Sequence, residues 1–281
     1  MTLWTLTFWL VLPGWPLSAV AGTPTGVPVA ALPAAVSLEG LSAEQAGLAL
    51  FREKDRRDSG YQDLQVDLEM VLRDRRGTET RRELRISQLE IEGDGDRLLV
   101  LFDTPKPIRG TALLSYSHHD QPDDQWLYLP AQTRVKKIAS RNKSGPFLSS
   151  EFAYEDMTLQ ELEKYSYRRL DDAPCGERTC YQVERVPTDP YSGYSRQEVL
   201  LDPDTLRVEG IRYFDVAGRP LKVLSVGGYA LYQDRFWKPG SMRMENLQTG
   251  RSTELLWRNY QFAVGLSADR DFSTNSLLRA R

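Results

Sequence analysis

The sequence predicts a mainly β protein: a curled antiparallel sheet that forms an unclosed β-barrel, with helices plugging its concave face. Long segments alternate apolar and polar residues with period two, and short turns with few intervening helices separate them. Two segments also shift phase, as β-bulges do. Long, bulged strands curl a sheet, and one of about ten strands encloses more space than its own side chains fill. We therefore expect an apolar cavity or a plug under the sheet.

The composition is that of an ordinary folded protein. The 281 residues are 41% hydrophobic and 27% charged, and 36 basic against 39 acidic residues give a formal net charge of −3. The basic excess that nucleic-acid binding usually requires is missing. The length suits one large domain or two small ones, and we expect a single domain over residues 41–281.

The first 40 residues predict an exported protein. Residues 1–21 hold an apolar run without charged side chains and end on the small residues Ala19-Val-Ala21. This is typical of a signal peptide cleaved after Ala21. The alternative is a membrane anchor, but two prolines break the run, and it is shorter than the ~20 residues of a span. Residues 22–40, rich in Ala, Pro, Val and Gly, predict a flexible leader.

The two cysteines, Cys175 and Cys180, are five residues apart. In an oxidising compartment such a pair is expected to form a disulfide across a tight turn. A metal site would need more ligands nearby, and a redox motif has a different spacing. The pair therefore supports export.

Two helices are predicted, and both are candidates for the plug. Ser42 and Gln45 have the spacing of a capping box, and an apolar stripe follows that should end by Gly60. Thr158 and Glu161 repeat the capping-box pattern and predict a second, short helix.

Strands are predicted along most of the remaining chain. The first is marked by Leu64, Val66, Leu68, Met70 and Leu72, which alternate with polar residues. Phase shifts predict bulges near Ser87–Gln88 and at Gly210. Further strands are expected at residues 84–91, 98–102, 111–116, 125–129, 134–138, 167–170, 179–186, 198–201, 207–214, 222–232, 236–246 and 252–262.

The central segment, residues 105–157, carries a family resemblance. Its most specific parts are the runs Arg109-Gly-Thr-Ala-Leu-Leu114, Asp124-Gln-Trp-Leu-Tyr-Leu-Pro-Ala131, Arg134-Val-Lys-Lys-Ile138 and Ser144-Gly-Pro-Phe-Leu-Ser-Ser-Glu-Phe-Ala-Tyr-Glu-Asp156. These runs resemble the LolA-like family of outer-membrane lipoprotein-sorting proteins. The family pattern usually has glycine where this chain has Ser149, and glycine adopts positive φ freely.

The resemblance implies an unclosed barrel with helices over its mouth and a role as a periplasmic carrier of lipid or lipoprotein acyl chains. It also implies a possible association with an inner-membrane transporter of the resistance-nodulation-division (RND) type. It brings no catalytic residue and no cofactor. The alternative is a periplasmic adaptor or scaffold for a transporter that binds no lipid and fills the concave face with its own side chains.

Apolar and aromatic residues are the candidates for lining a lipid cavity, with ordinary core packing as the alternative for each of them. They are Leu68, Met70, Leu113, Trp126, Tyr128, Phe147, Phe152, Tyr154, Trp237 and Trp257. Basic residues are the candidates for contacting phosphate headgroups or an acidic partner, and the alternative is a solvated strand face. These are Arg134, Lys136, Lys137, Arg141 and Lys143.

The only two histidines, His118 and His119, lie beside acidic residues. Adjacent side chains on a strand point to opposite faces, so a shared metal is disfavoured, and we interpret the segment as a polar hairpin loop. A serine hydrolase would need a nucleophile elbow, and no G-x-S-x-G pattern occurs. The sequence therefore predicts a protein that is not an enzyme and holds no metal.

Overall fold

The computed structural model describes residues 36–278, so the predicted signal peptide and most of the predicted leader lie outside the described residues. The helices are α1 (Ala43–Asp58), α2 (Ala268–Asp271) and α3 (Thr274–Leu277). The strands are β1 (Asp63–Arg73), β2 (Glu79–Leu89), β3 (Arg97–Thr104), β4 (Ala112–Tyr116), β5 (Asp124–Leu129), β6 (Arg134–Lys137), β7 (Tyr165–Arg169), β8 (Ala173–Cys175), β9 (Arg178–Pro187), β10 (Tyr194–Leu201), β11 (Val208–Asp215), β12 (Pro220–Gly227), β13 (Ala230–Tyr232), β14 (Phe236–Lys238), β15 (Ser241–Asn246) and β16 (Ser252–Phe262).

Fourteen of these strands form one antiparallel sheet, in the order β6-β5-β4-β3-β2-β1-β16-β15-β12-β11-β10-β9-β7, with β8 paired to β9. The order ends at β6 on one side and at β7 on the other, so the sheet is not closed. This confirms the predicted fold class. The period-two pattern explains why: each long strand has one apolar face to bury, and its neighbours follow along the chain through short turns.

Strand register divides the sheet into a concave and a convex face. Leu68 of β1 lies opposite Leu84 of β2 and Trp257 of β16, and Met70 lies opposite Leu255. Directly opposed residues share a face, so these apolar side chains form one layer. Met70 is fully buried and Leu68 is nearly so. Burial of each such side chain contributes about 1.5–3 kcal/mol.

Helix α1 covers the concave face beside edge strand β7. Its N-terminus has the predicted capping box, with Ser42 accepting from the Gln45 N–H and the Gln45 side chain accepting from the Ser42 N–H. Leu50 is buried in the core. A Cβ on Gly47 would lie 2.9 Å from the backbone nitrogen of Arg168, so only glycine permits this close approach of helix and strand.

The predicted second helix is wrong. The chain makes 3₁₀ turns at Tyr154–Asp156 and Leu162–Lys164 instead. The two capping residues are used elsewhere, since the Thr158 hydroxyl donates to the Glu155 carbonyl and the Glu161 carboxylate accepts from the Asp96 N–H. No reciprocal cap remains to start a helix.

Residues 139–164, which we call the plug segment, nevertheless cross the concave face. Phe147 is fully buried in the main core. Phe147 begins a 3₁₀ turn that runs to Ser149, and in this turn Leu148 and Ser149 have φ of 45° and 67°. Ser149 occupies the place where the family pattern has glycine, and it adopts the left-handed conformation that glycine favours.

Of the two predicted bulges, one is confirmed and one is misplaced. At Gly210 the register shifts, with Leu200 opposite Gly210 and Leu201 opposite Val208. No shift occurs at Ser87–Gln88; strand β2 is instead irregular against β3 between Glu83 and Leu84. Leu84 and Ile86 of the same strand point to the concave face, and Leu89 is out of phase with them because it packs in a second apolar cluster on the convex face.

That convex cluster is formed with the C-terminal helices, which the sequence did not predict. Phe272 and Leu277 are buried against Leu114 and Tyr128 of the sheet, with Trp126 alongside. The hydroxyl of Tyr116 donates to the Phe272 carbonyl. Apolar residues on both faces of β5 thus reflect two separate cores, one on each side of the sheet.

Cys175 and Cys180 form the predicted disulfide, and it joins paired strands β8 and β9. None of the helices within residues 36–278 is both long and apolar enough to cross a membrane.

Candidate functional site

The predicted cavity residues do not all share a face. Leu68, Met70 and Leu113 lie on the concave face, in the main core. Trp126 and Tyr128 pack in the convex cluster, so they cannot line a space under the sheet with the others. Trp126 also has the Lys137 ammonium 5.5 Å from its ring centre. A ligand-binding role for the concave residues stays a prediction.

The middle of the concave face is filled by the plug segment. Phe147 packs on Phe102 at 5.8 Å and on Tyr154 at 5.5 Å between ring centres, and Phe152 is 5% exposed. Met70, Leu113 and Phe147 have no exposed surface. These predicted residues are therefore covered by the protein itself.

Buried polar side chains of the sheet hold the plug segment in place. Ser115 donates to the Met157 carbonyl at 2.8 Å, and Gln125 donates to the Tyr154 carbonyl at 2.8 Å. On the other side, Lys222 donates to the Glu151 carbonyl at 3.0 Å. Such bonds satisfy backbone groups that burial would otherwise leave unpaired, and they fix the segment across the sheet.

One of these contacts is a buried ion pair. The Lys222 ammonium lies 2.7 Å from the Asp156 carboxylate, with the two side chains only 4% and 9% exposed. The Tyr194 hydroxyl donates to the same carboxylate, and the rings of Tyr194 and Tyr213 flank the ammonium. Burial, with Asp156 nearby, raises the pKa of Tyr194 well above its usual value, so the phenol stays a donor.

At the other end of the concave face the side chains are aromatic, and four of the six are partly exposed while Tyr61 and Phe236 are buried. We call this cluster the aromatic mouth. Its members are Tyr61, Tyr232, Phe236, Trp257, Tyr260 and Phe262. Phe236 stacks on Phe262 with ring centres 5.7 Å apart, and Tyr260 lies 5.1 Å from Tyr232. Aromatic rings present large apolar area at low entropic cost, which suits contact with an acyl chain.

A bulge in β16 places three of these rings on one face. Against β1, the register shifts between Gln65 and Asp67, and Asn259 adopts φ of 57°. Without the extra residue, Trp257 and Tyr260 would point to opposite faces, because strand side chains alternate. The bulge lets Trp257, Tyr260 and Phe262 all join the main core.

Trp257 has an unusual feature within this cluster. Its indole nitrogen is buried, and no acceptor within the described residues bonds to it. A buried donor without a partner costs about 1–3 kcal/mol. An acceptor brought by a ligand, such as the carbonyl of an acyl ester, would remove that cost.

Trp237 lies apart from the aromatic mouth. It is paired with Leu231 across the β13–β14 hairpin and therefore faces the side opposite to Tyr232 and Phe236. The Arg207 guanidinium lies 4.7 Å from its ring centre. Trp237 thus packs beside a cation and points away from Tyr232 and Phe236, and a ligand-binding role for it stays a prediction.

The predicted basic residues divide into an exposed and a buried group. Arg134, Lys136, Lys137 and Arg141 are exposed, the first three on edge strand β6, where Lys137 pairs with Asp124 at 2.6 Å. Lys143 is only 5% exposed, and its ammonium donates to the Asp123 carbonyl. Charged side chains on an edge strand also discourage pairing with other chains. Headgroup or partner contact by the exposed group stays a prediction.

Lys143 belongs to a cleft of about 420 Å³ between the loop 117–123 and the loop 188–193. The Glu155 carboxylate lies in its wall and accepts from the Gly193 N–H at 2.9 Å and the Ser192 hydroxyl at 2.7 Å. Burial, with the neighbouring Asp156 charge, raises the pKa of Glu155 to about 7. Glu155, which is part of the plug segment, therefore ties the loop 188–193 to that segment, and its carboxyl group titrates near neutrality.

The histidines lie in a polar loop between β4 and β5, as expected. His118 is buried and bonds through Nδ1 to Asp94 at 2.9 Å, whereas His119 lies 3.5 Å from Glu161. Their partners are different, so the two do not converge. Within residues 36–278 no group of three or more metal-ligating side chains could hold an ion.

Sequence reasoning missed most of the aromatic mouth. Of its six members only Trp257 was a candidate. Two signals could have found the others: the W-x-x-Y-x-F spacing at 257–262, which breaks period two, and the aromatic density of residues 229–237. Both signals are irregularities in the alternation of apolar and polar residues that a regular strand would show.

Comparisons with known proteins agree with this fold. A family model described as an uncharacterized protein matches residues 94–279. The crystal structure of an outer membrane lipoprotein-sorting protein domain from Vibrio parahaemolyticus is 44% identical, with a TM-score of 0.81, and the match covers 83% of this chain and 98% of that one. A DUF1329 family protein from Desulfovibrio piger is 29% identical, with a TM-score of 0.79, over 84% and 99% of the two chains.

A LolA superfamily protein from Nitrosomonas europaea is 18% identical, with a TM-score of 0.65, over 82% of this chain and 98% of that one. At this identity the likeness concerns the fold alone. A comparison with curated protein sequences gives no match.

Proposed function

Since the chain belongs to the LolA-like family of outer membrane lipoprotein-sorting proteins, we propose that it is a non-catalytic periplasmic carrier that binds a lipid or the acyl chains of a lipoprotein. The membership also confirms the resemblance inferred from the sequence. The signal-peptide pattern and the Cys175–Cys180 disulfide support an oxidising compartment outside the cytoplasm.

The aromatic mouth carries this proposal. It combines partly exposed rings, which water solvates poorly, with the buried, unpartnered indole N–H of Trp257. An acyl ester matches both features, because its chain covers the rings and its carbonyl accepts from the indole. The mouth lies at the end of the concave face that the polar bonds of the plug segment do not occupy.

Native mass spectrometry of the protein isolated from its own periplasm tests the proposal. We expect a bound mass that organic extraction identifies as a lipid or an acylated peptide. The matched variant is Tyr260→Ala, which removes a central ring of the mouth, with exposed Tyr191→Ala as the control. A bare mass under gentle conditions in the wild type would contradict the proposal.

A second candidate function is a transporter adaptor, and the filled middle of the concave face favours it. Met70, Leu113 and Phe147 are fully buried by neighbouring protein atoms, so no ligand is needed to cover them. Affinity capture from membranes of the source bacterium would test it. Recovery of an RND-type transporter by a protein without bound lipid would support the adaptor over the carrier.

A further inference from the structure

The hairpin formed by β13 and β14 is a separate two-stranded sheet inserted between β12 and β15 of the main sheet. The sequence predicted two long strands, 222–232 and 236–246, running straight through this region. The strands break because Gly227 and Gly228 end the first and Pro239 and Gly240 interrupt the second. Gly228 has φ of 65°, a conformation that favours glycine.

The break forms a narrow neck. The Gly240 N–H donates to the Gly227 carbonyl at 3.0 Å. A Cβ on Gly240 would lie 2.7 Å from the Gly228 carbonyl oxygen, so a side chain there would collide with the opposite strand. Both connections of the hairpin to the main sheet therefore contain glycine, a residue that absorbs changes of φ and ψ at low cost, so the neck is the place where a hinge motion of the hairpin would occur.

Beyond the neck, the inner face of the hairpin covers the aromatic mouth. Tyr232 and Phe236 are opposite each other in the hairpin and contact Tyr260 and Phe262 of β16. Gln233 and Asp234 form the tip, both at positive φ, with a hydrogen bond from the Arg235 N–H to the Tyr232 carbonyl. A two-stranded hairpin is only marginally stable by itself, so the contacts of Tyr232 and Phe236 with the rings of β16 hold it against the main sheet.

Polar contacts join the hairpin to the end of α1. The Lys238 ammonium lies 2.8 Å from the Asp58 carboxylate and 4.7 Å from the ring centre of Tyr61. Arg235 donates to the Ser59 carbonyl at 2.7 Å. Burial raises the pKa of Asp58, but the charges of Lys238 and Lys54 outweigh it, so the net pKa is lowered and the carboxylate stays ionised at neutral pH.

We propose that the β13–β14 hairpin is a hinged flap over the aromatic mouth, held shut by the Asp58–Lys238 ion pair, and that an acyl chain enters and leaves when this pair opens. The proposal rests on the proposed carrier function and adds its gate. A closed flap shields bound chain from water, and opening the pair exposes Tyr232, Phe236 and the rings beneath them together. The indole N–H of Trp257 lies within the cluster that the flap covers.

Hydrogen-exchange mass spectrometry and stopped-flow binding of a fluorescent fatty-acyl probe, both on the whole mature protein, test the gate. Asp58→Asn and, independently, Lys238→Gln remove the ion pair. Each should raise amide exchange in residues 229–238 by about tenfold, and should speed probe association and release by a similar factor with a smaller change in Kd. The exchanged pair Asp58→Lys with Lys238→Asp should restore slow exchange and slow rates.

Arg85→Gln is the matched control, because Arg85 pairs with Asp103 at 2.9 Å across β2 and β3, away from the hairpin. It should change neither the exchange at 229–238 nor the probe rates. The gate is refuted if exchange in the hairpin stays at the wild-type level in both single variants, or if it rises only together with exchange throughout the protein. If the wild type binds the probe and the rates do not change, the gate alone fails; if the wild type binds no acyl probe, the carrier function fails with it.

Discussion

The two ends of the concave face are built differently. At the plug segment, polar side chains of the sheet bond to backbone carbonyls, and the Lys222–Asp156 pair is almost fully buried. At the aromatic mouth, the contacts are mainly between rings, several partly exposed, and one indole donor has no partner. Directional bonds in a dry environment specify one arrangement, whereas ring contacts tolerate exchange of one apolar partner for another. The comparison indicates a fixed end and an exchangeable end.

The largest expected effect breaks the fixed end. Asp156→Ala leaves the Lys222 ammonium buried without its carboxylate and should lower the free energy of unfolding by about 3–5 kcal/mol. Replacing both residues, as Asp156→Leu with Lys222→Met, should cost less than Asp156→Ala alone, because no charge is then left unpaired. Urea denaturation checks both, and a loss below about 1 kcal/mol in Asp156→Ala would show that the pair does not hold the plug segment.

A change of pH should also act on the plug segment, which includes Glu155 and whose Glu161 carboxylate accepts a hydrogen bond from the Asp96 N–H. Burial raises the pKa of both Glu155 and Asp96 to about 7, with nearby acids adding to it. The folded state therefore holds protons that the unfolded state has lost. Stability should fall as the pH rises from about 5 to 8, by about 2–3 kcal/mol for each of the two groups over the window.

Glu155→Gln is the matched test of this titration. It keeps the shape of the side chain and the bond from Gly193, but it cannot ionise, so the slope of unfolding free energy against pH should flatten. Asp94 and Asp215, whose pKa is lowered to about 2, change the stability only below this pH window, where they become protonated. Stability that rises from pH 5 to 8 would contradict the assignment.

Tyr260→Ala should weaken ligand binding at the aromatic mouth without changing the pH dependence of stability that comes from the plug segment. It removes a ring that contacts Tyr232, Trp257 and Phe262, and we expect affinity for an acyl probe to fall about tenfold. The pH slope set by Glu155 should be unchanged, because sites far apart act independently. Equal affinity of variant and wild type would remove the mouth from the ligand site.

The smallest effect is expected from Trp257→Phe, which keeps an aromatic ring but removes the indole N–H together with one ring of the side chain. Removal of the unpartnered donor stabilises the folded protein and loss of apolar contact destabilises it, so the net change in stability should be about 1 kcal/mol or less. Affinity for an acyl ester should fall about threefold more than affinity for a chain without a carbonyl, because both ligands lose the same ring contact and only the ester loses a donor. Titration of both ligands checks it, and equal losses for the two would mean that the nitrogen donates to neither.

The contrast also explains what sequence alone could predict. Period two predicts the strands, the capping box at Ser42 predicts α1, and Gly210 marks a true bulge, because each of these is a local property of the chain. The helix at Thr158 failed because the residues that would cap it bond to distant groups. Tertiary contacts decided its conformation, and a local pattern does not contain them.

The site was harder to predict than the fold. Apolar strands such as β5 did indicate burial on both sides, but the pattern does not say what covers each face, and the C-terminal helices turned out to cover Trp126 and Tyr128. The aromatic mouth depends on the bulge at Asn259 and on the folding-over of the β13–β14 hairpin. Both are deviations from regular strands, and they bring together residues from Tyr61 to Phe262.

Photo-crosslinking with a diazirine-bearing acyl lipid reports directly which end of the concave face a bound acyl chain touches. We predict labelled peptides from β13, β14 and the end of β16, with labelling that excess unlabelled lipid suppresses and that Tyr260→Ala reduces. Labelling confined to residues 139–164, or labelling that excess lipid does not suppress, would contradict it.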